Sequence, residues 1–169
     1  KWSVAVPEGR RLAEYVSMAF RIATTGLPGP VFLEMPIDQL FGSFEENEIP
    51  FPTKYRTEAG IAGDPAYIEQ AFELLRRAER PVALVGSQLR WSPRRQAYPE
   101  VVETFGMPIY VNGLGRGSLR PDNPHFFSQT RKDALRQADV VMIFGTPLDF
   151  RLGYGRETHI NPGAAVIQV

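Results

Sequence analysis

Leu12, Tyr15, Val16, Ala19, Phe20 and Ala23 recur at spacings of three and four. That period lays them on one helix face and predicts a helix from about Gly9 to Thr25, ended by Gly26. The run Gly29-Pro30-Val31-Phe32-Leu33-Glu34-Met35-Pro36 reads as a short strand between prolines, because proline cannot donate to a sheet ladder. From Phe41 to Gly63 the apolar period disappears. Glu45, Glu46, Glu48, Pro50, Pro52 and scattered glycines mark that stretch as a linker over a surface, and a domain boundary is expected there.

Asp64-Pro65 then offers an N-cap followed by proline at the first helical position, where its missing N–H costs nothing. Ile68, Ala71, Phe72 and Leu75 supply the inner stripe of the helix that follows. Strand-like runs come next at Pro81 to Val85, Pro108 to Val111, Val140 to Phe144 and Ala165 to Val169. Helical spacing separates them, through Tyr98, Val101, Val102 and Phe105, where Pro99 either kinks or restarts the helix, and through Ala134, Leu135 and Ala138. Strands alternating with helices predict an α/β fold with a parallel sheet. Near-continuous apolar strands such as Val140 to Phe144 fit a sheet covered on both faces.

Composition narrows the function. The chain has 169 residues, 43% of them hydrophobic, enough for one sizeable core and an extra segment. Nineteen basic residues balance nineteen acidic ones and lie in scattered pairs such as Arg76-Arg77 and Arg94-Arg95, so nucleic acid is not an expected partner. With no cysteine, a disulfide framework and a thiolate metal site are excluded, and a cytoplasmic location fits. No apolar run is long enough to cross a membrane. Lys1 in place of an initiating Met, and an ending inside a strand-like run, read as cuts in a longer chain.

In an open parallel sheet, ligands bind outside the carboxyl ends of the strands, so the residues after each strand carry the functional information. Here they are Gly86-Ser87-Gln88, then Asn112-Gly113-Leu114-Gly115-Arg116-Gly117, then Gly145-Thr146-Pro147-Leu148-Asp149. Glycine admits close approach of a phosphate or ring, and three such loops in register suggest a dinucleotide lying across them. The alternative is that these glycines only end strands. Gly113, Gly115 and Gly117 do not have the dinucleotide fingerprint spacing, and no helix is expected to open before Pro121. Arg151 and Arg156 stand where guanidinium groups can pair with a pyrophosphate, or equally with Asp149 or an aromatic ring. His125 and His159 have no partner at ligand spacing, and Ser87 and Ser118 lack a nucleophile-elbow context, so neither a metal site nor a catalytic nucleophile is assigned.

The segments GLPGPVFLEMPID, RPVALVGSQ, GMPIYVNGLGRGS and ADVVMIFGTPLDFRLGYGR together resemble the acetolactate synthase family of thiamine diphosphate enzymes, near its 2-hydroxyacyl-CoA lyase branch. The resemblance covers essentially the whole chain. It implies that residues 1–40 end a pyrimidine-binding domain, that 41–63 form a linker, and that 64–169 form an incomplete central nucleotide-binding-type domain. The implied fold is a truncated, Rossmann-like three-layer α/β/α parallel sheet of the deoxyhypusine synthase-type NAD/FAD-binding class. The implied activity is decarboxylation and carboligation of 2-keto acids, or cleavage of a 2-hydroxyacyl thioester, with thiamine diphosphate as electron sink.

The family's activating glutamate and magnesium–diphosphate motif belong to other domains, so thiamine diphosphate and Mg are expected outside this stretch and no catalytic residue inside it. By match of motif, FAD contacts would be Gly86, Ser87, Asn112, Gly113, Leu114, Gly115, Gly145, Thr146, Pro147, Leu148, Asp149 and Arg151. Departures stand at Leu27, where flavin-binding members often carry arginine, and at Gly86-Ser87-Gln88, where they carry three glycines. They leave FAD, an ADP or CoA nucleotide as in oxalyl-CoA decarboxylase-type enzymes, and an empty bracing domain as readings. A free-standing NAD- or flavin-binding electron-transfer domain is a further alternative. The resemblance also implies a homodimer or homotetramer, with the other domains of the same chain as partners.

Overall fold

In the computed structural model, which describes residues 1–56, 60 and 62–169, two compact units form: Lys1–Ala62 and Gly63–Val169. The first unit opens with a strand that the pattern did not predict, β1 (Trp2–Ala5), paired in parallel with β2 (Val31–Glu34) in the register Trp2↔Val31. Both strands alternate half-buried and exposed positions. Between them runs α1 (Leu12–Thr24), preceded by a 3-10 turn at Gly9–Arg11, so the α-helix starts three residues later than expected. A side chain at Gly9 would meet the Gln39 carbonyl oxygen at 2.8 Å. Ala19 is buried, but Phe20, expected on the same face, is 59% exposed. One residue is about 100° of helix rotation, enough to carry Phe20 off the covered stripe. A one-turn helix, α2 (Ile37–Leu40), follows β2. The expected linker 41–63 holds a 3-10 turn at Glu46–Glu48, and its residues 57–59 and 61 lie outside the described residues.

In the second unit Asp64 caps α3 (Pro65–Arg77), its carboxylate accepting from the Ala66 N–H at 2.8 Å, with Pro65 in the first turn. Leu75 is buried and Phe72 half-buried, whereas Ile68 is 45% exposed. Ile68 sits in the first turn, roughly 10 Å along the axis from Leu75, so the predicted stripe is right in angle and covered only at one end. Then follow β3 (Pro81–Val85), α4 (Tyr98–Thr104), β4 (Ile109–Val111), α5 (Arg131–Gln137), β5 (Val140–Phe144) and β6 (Ala165–Gln168). Pro99 falls in the first turn of α4, so it restarts a helix rather than kinking one.

The four strands form one parallel sheet in the order β4-β3-β5-β6. Alternate residues feed two cores. Ala83, Val85, Met142 and Phe144 pack with Leu75, Tyr98, Val102, Met107 and Ile109 on one side. Val82, Leu84, Val141 and Ile143 pack with Tyr110, Leu135, Leu152 and Ile160 on the other. This is the three-layer α/β arrangement, and burial on both sheet faces is why β3 and β5 read as unbroken apolar runs. Each fully buried Val, Leu or Ile contributes roughly 1.5–3 kcal/mol, which makes β3 and β5 the stiff platform for whatever follows their ends. Outside β4, Phe126 adds a single parallel bridge to Ile109. Among the described residues, no helix is long and apolar enough to cross a membrane.

Candidate functional site

From β3 the chain crosses to β4 on one side, and β5 then takes the other side of β3 and leads on to β6. The connection therefore reverses direction between β3 and β5, and the crevice at such a switch point is where open α/β sheets hold ligands. Gly86 and Gly145, the residues that leave these two strands, meet there.

The loops are stitched together by backbone bonds. Gly86 N–H donates to the Phe144 carbonyl at 2.8 Å and Gln88 N–H to the Gly145 carbonyl at 2.9 Å. A Cβ on Gly86 would overlap Thr146, a buried residue, and lie 2.7 Å from the Gly145 carbonyl oxygen. Gly145 has a φ of +58°, open to glycine at no steric cost, and a Cβ there would lie 2.7 Å from the Leu89 nitrogen. Gly115 is pinned against the Val85 carbonyl oxygen, which its Cβ would approach to 2.9 Å. These glycines are therefore required by loop-against-loop packing, before any ligand is considered.

The loop after β4 joins the same assembly. The Ser87 hydroxyl accepts from the Leu114 N–H at 3.0 Å, and a side chain on Gly113 would run into that hydroxyl and toward the Arg151 guanidinium. Asn112 N–H donates to the Val85 carbonyl at 2.7 Å, and its side-chain oxygen accepts from Gly113 N–H at 3.0 Å. The other end of that side chain, Nδ2, is buried without a hydrogen-bond partner. Buried amide donors are nearly always paired, which sets this one apart from the rest of the loop.

Of the twelve residues expected to contact a nucleotide, the fold thus brings Gly86, Ser87, Asn112, Gly113, Leu114, Gly115, Gly145, Thr146, Asp149 and Arg151 into one contiguous patch, and Pro147 is half-buried beside Thr146. Leu148 instead packs against the core on one sheet face. Asp149 accepts from Arg151 N–H at 2.9 Å and pairs with the Arg151 guanidinium at 3.1 Å. Arg151 also lies over the Phe150 ring, 5.3 Å from its centroid, and Arg156 over Tyr154 at 5.8 Å. Leu114 is 57% exposed.

A second concave feature had no counterpart in the sequence reading. A cavity of about 850 Å³ adjoins β4 and the loop after it, walled by Tyr110, Ser118, Phe126 and Phe127 and by Arg116, Arg120, Arg131 and Lys132. The visible signal was the cationic content of residues 116–132, which in one dimension looks like scattered surface charge. From outside its lining, the Tyr98 hydroxyl bonds the Ser118 hydroxyl at 2.9 Å, and burial pushes the Tyr98 phenol above its ordinary range, with the Ser118 bond opposing. Among the described residues, no group of three or more His, Asp or Glu side chains is arranged to hold a metal ion.

Residues 68–169 match the family model described as thiamine pyrophosphate enzyme, central domain. The chain is 33% identical to 2-hydroxyacyl-CoA lyase 2 of Danio rerio over 92% of its length and 30% of that protein's. The human 2-hydroxyacyl-CoA lyase 2 is 30% identical with the same coverage. The acetolactate synthase large subunit of Mycobacterium tuberculosis is 35% identical over 83% of this chain and 25% of its own length. The chain therefore spans less than a third of the relatives it matches.

Proposed function

Since this chain belongs to the thiamine pyrophosphate enzyme family, with residues 68–169 as the central domain, we propose that it holds a nucleotide at the carboxyl ends of β3, β4 and β5. In this reading it does so within a longer enzyme that makes or breaks a carbon–carbon bond beside a carbonyl. Thiamine diphosphate, bound with magnesium by other parts of the polypeptide, supplies the electron sink for the carbanion.

The observation that carries the nucleotide is Asn112. Its Nδ2 is an unpaired buried donor beside the switch-point crevice, and its Oδ1 is already used to hold the Gly113 turn. A ring carbonyl or ring nitrogen of a base or flavin is the kind of partner it lacks, and because Nδ2 is closed to solvent the loop after β4 has to shift to admit one. The surrounding residues bind and orient: Ser87 fixes the Leu114 amide, and Gly86, Gly115 and Gly145 keep the three loops close enough to form one floor. None of them is a catalytic residue.

FAD is the first candidate for the nucleotide, with acetolactate-synthase-type chemistry on 2-keto acids. ADP or CoA, with cleavage of a 2-hydroxyacyl thioester, is the second. It gains support because the 2-hydroxyacyl-CoA lyase relatives align over 92% of the chain, against 83% for the acetolactate synthases. A homodimer or homotetramer is part of either reading.

The test is spectroscopy and released-nucleotide analysis on the full-length protein that carries this chain. Flavin near one per chain supports the first reading, and ADP or CoA supports the second. Protein free of nucleotide that also binds none when FAD, ADP and CoA are supplied overturns both. Assays of 2-keto acid consumption and 2-hydroxyacyl-CoA cleavage then separate the two chemistries.

A further inference from the structure

We propose that the phosphate groups of the bound ligand lie in the cavity beside β4, held by Arg116, Arg131 and Lys132, and not against Arg151; this rests on the nucleotide reading above. Arg151 is the obvious anion partner from its position after β5, but its guanidinium is paired with Asp149 at 3.1 Å and stacked over Phe150. Arg156 lies over Tyr154. A phosphate at Arg151 must compete with a carboxylate already in place, and would sit beside the Asp149 charge.

The cavity next to β4 has the opposite balance. Its walls include Arg116, Arg120, Arg131 and Lys132 and contain no Asp or Glu. Arg120 is engaged by Asp122 through two bonds of 3.0 Å, which discounts it. Arg116, Arg131 and Lys132 remain to meet an incoming anion. A volume of about 850 Å³ lies within the range of small-molecule sites and far exceeds what one water-filled notch needs. One wall is aromatic: Tyr110 and Phe127 lie with ring centroids 6.2 Å apart, and Phe127 is 44% exposed.

The cavity is also physically joined to the crevice. Arg131 Nη2 donates to the Arg151 carbonyl at 3.4 Å, and the loop from Asn112 to Ser118 runs along both. Gly117 faces open space, with nothing within 4 Å of where its Cβ would stand. A nucleotide with its base or ring near Asn112 can therefore extend past β4 and place its phosphates among three cations. Charge-assisted bonds of this kind are the strong ones, and arginine forks suit phosphate geometry. The shared chemistry is a diphosphate ester, which either a resident nucleotide or an exchangeable acyl-carrier nucleotide supplies.

The experiment uses the full-length protein, stripped of nucleotide, with ADP, adenosine and inorganic pyrophosphate as probes in calorimetry. Arg116 and Lys132 are exposed, so the double variant R116Q/K132Q is expected to fold, checked by circular dichroism. It is expected to weaken ADP and pyrophosphate binding by roughly ten-fold or more while leaving adenosine unchanged, and R151Q is expected to stay within about two-fold. Loss of ADP binding in R151Q with no effect in R116Q/K132Q overturns the cavity assignment and leaves the nucleotide reading standing. Pyrophosphate binding that depends on Arg116 and Lys132, without binding of ADP, FAD or CoA, supports the cavity as an anion site and overturns the nucleotide reading. Failure of pyrophosphate and all nucleotides to bind overturns both. Retention of the nucleotide through gel filtration identifies a resident cofactor, and exchange with added CoA identifies a substrate.

Discussion

Gly86 and Thr146 touch where β3 and β5 end, so closely that a methyl group on Gly86 would overlap the Thr146 side chain and approach the Gly145 carbonyl oxygen to 2.7 Å. The contact ties the two halves of the switch point together, and it leaves no slack because Thr146 is buried. Gly86→Ala is expected to cost about 1–3 kcal/mol, the usual penalty of overpacking a closed site. Adding Thr146→Gly should restore only part of it, since the Gly145 backbone remains in the way. Urea denaturation measures this, and an unchanged midpoint in G86A would mean that the loops are not packed as described.

Asn112 divides its side chain between structure and ligand. Its oxygen holds the Gly113 N–H, and its nitrogen is unpaired. Asn112→Asp preserves the acceptor and removes the donor, so nucleotide affinity is expected to fall roughly ten-fold or more. Asn112→Ala loses both and should also lower the melting temperature of the nucleotide-free protein. Equal affinity in N112D and wild type, read by calorimetry, would take Nδ2 off the ligand.

Asp139, the residue before β5, clamps the turn that leads into β3 by accepting from Glu79 N–H at 2.6 Å and Arg80 N–H at 3.0 Å. Burial acts to raise its pKa, but the backbone bonds from Glu79, Arg80, Asp139 and Val140 outweigh it, and the group is held below the ordinary carboxylate value. The unfolded chain therefore binds the proton first as pH falls. The clamp's stabilisation is complete above about pH 3.9, the unfolded value, and is lost as pH drops through the folded one. Asp139→Asn should cost about 1 kcal/mol at pH 7, with the gap to wild type closing in strong acid. Denaturation curves at several pH values test it, and a gap that does not change with pH would rule out the carboxylate's charge as its source.

Tyr98 shows the reverse sign. Its phenol is buried, bonded to the Ser118 hydroxyl at 2.9 Å, and pushed upward by burial. Its contribution is complete below about pH 10, the unfolded value, and is lost as pH rises through the higher folded value. Tyr98→Phe is expected to cost about 1 kcal/mol near neutrality and to flatten the alkaline loss of stability. Parallel alkaline unfolding curves for the two proteins would contradict this.

The sequence by itself determined the alternation of helices and strands, the parallel sheet and the carboxyl ends of β3, β4 and β5. Those signals are local: β3 and β5 are apolar throughout because both sheet faces are covered, and Asp64-Pro65 starts α3 through bonds within one turn. Local pattern could not find β1, because four half-exposed residues become a strand only when β2 supplies the ladder 29 positions away. Nor could it tell that Phe20 and Ile68 stay exposed, since period sets the angle of a side chain but not how far its cover extends. Arg151 and Asp149 were visible as neighbours, but whether arginine pairs with that carboxylate or with a ligand depends on the turn between them. The cationic cavity was decided wholly by tertiary structure. Arg116 is remote in sequence from the adjacent Arg131 and Lys132, and they share one cavity because Phe126 returns alongside β4 and carries the start of α5 back to the loop that follows β4.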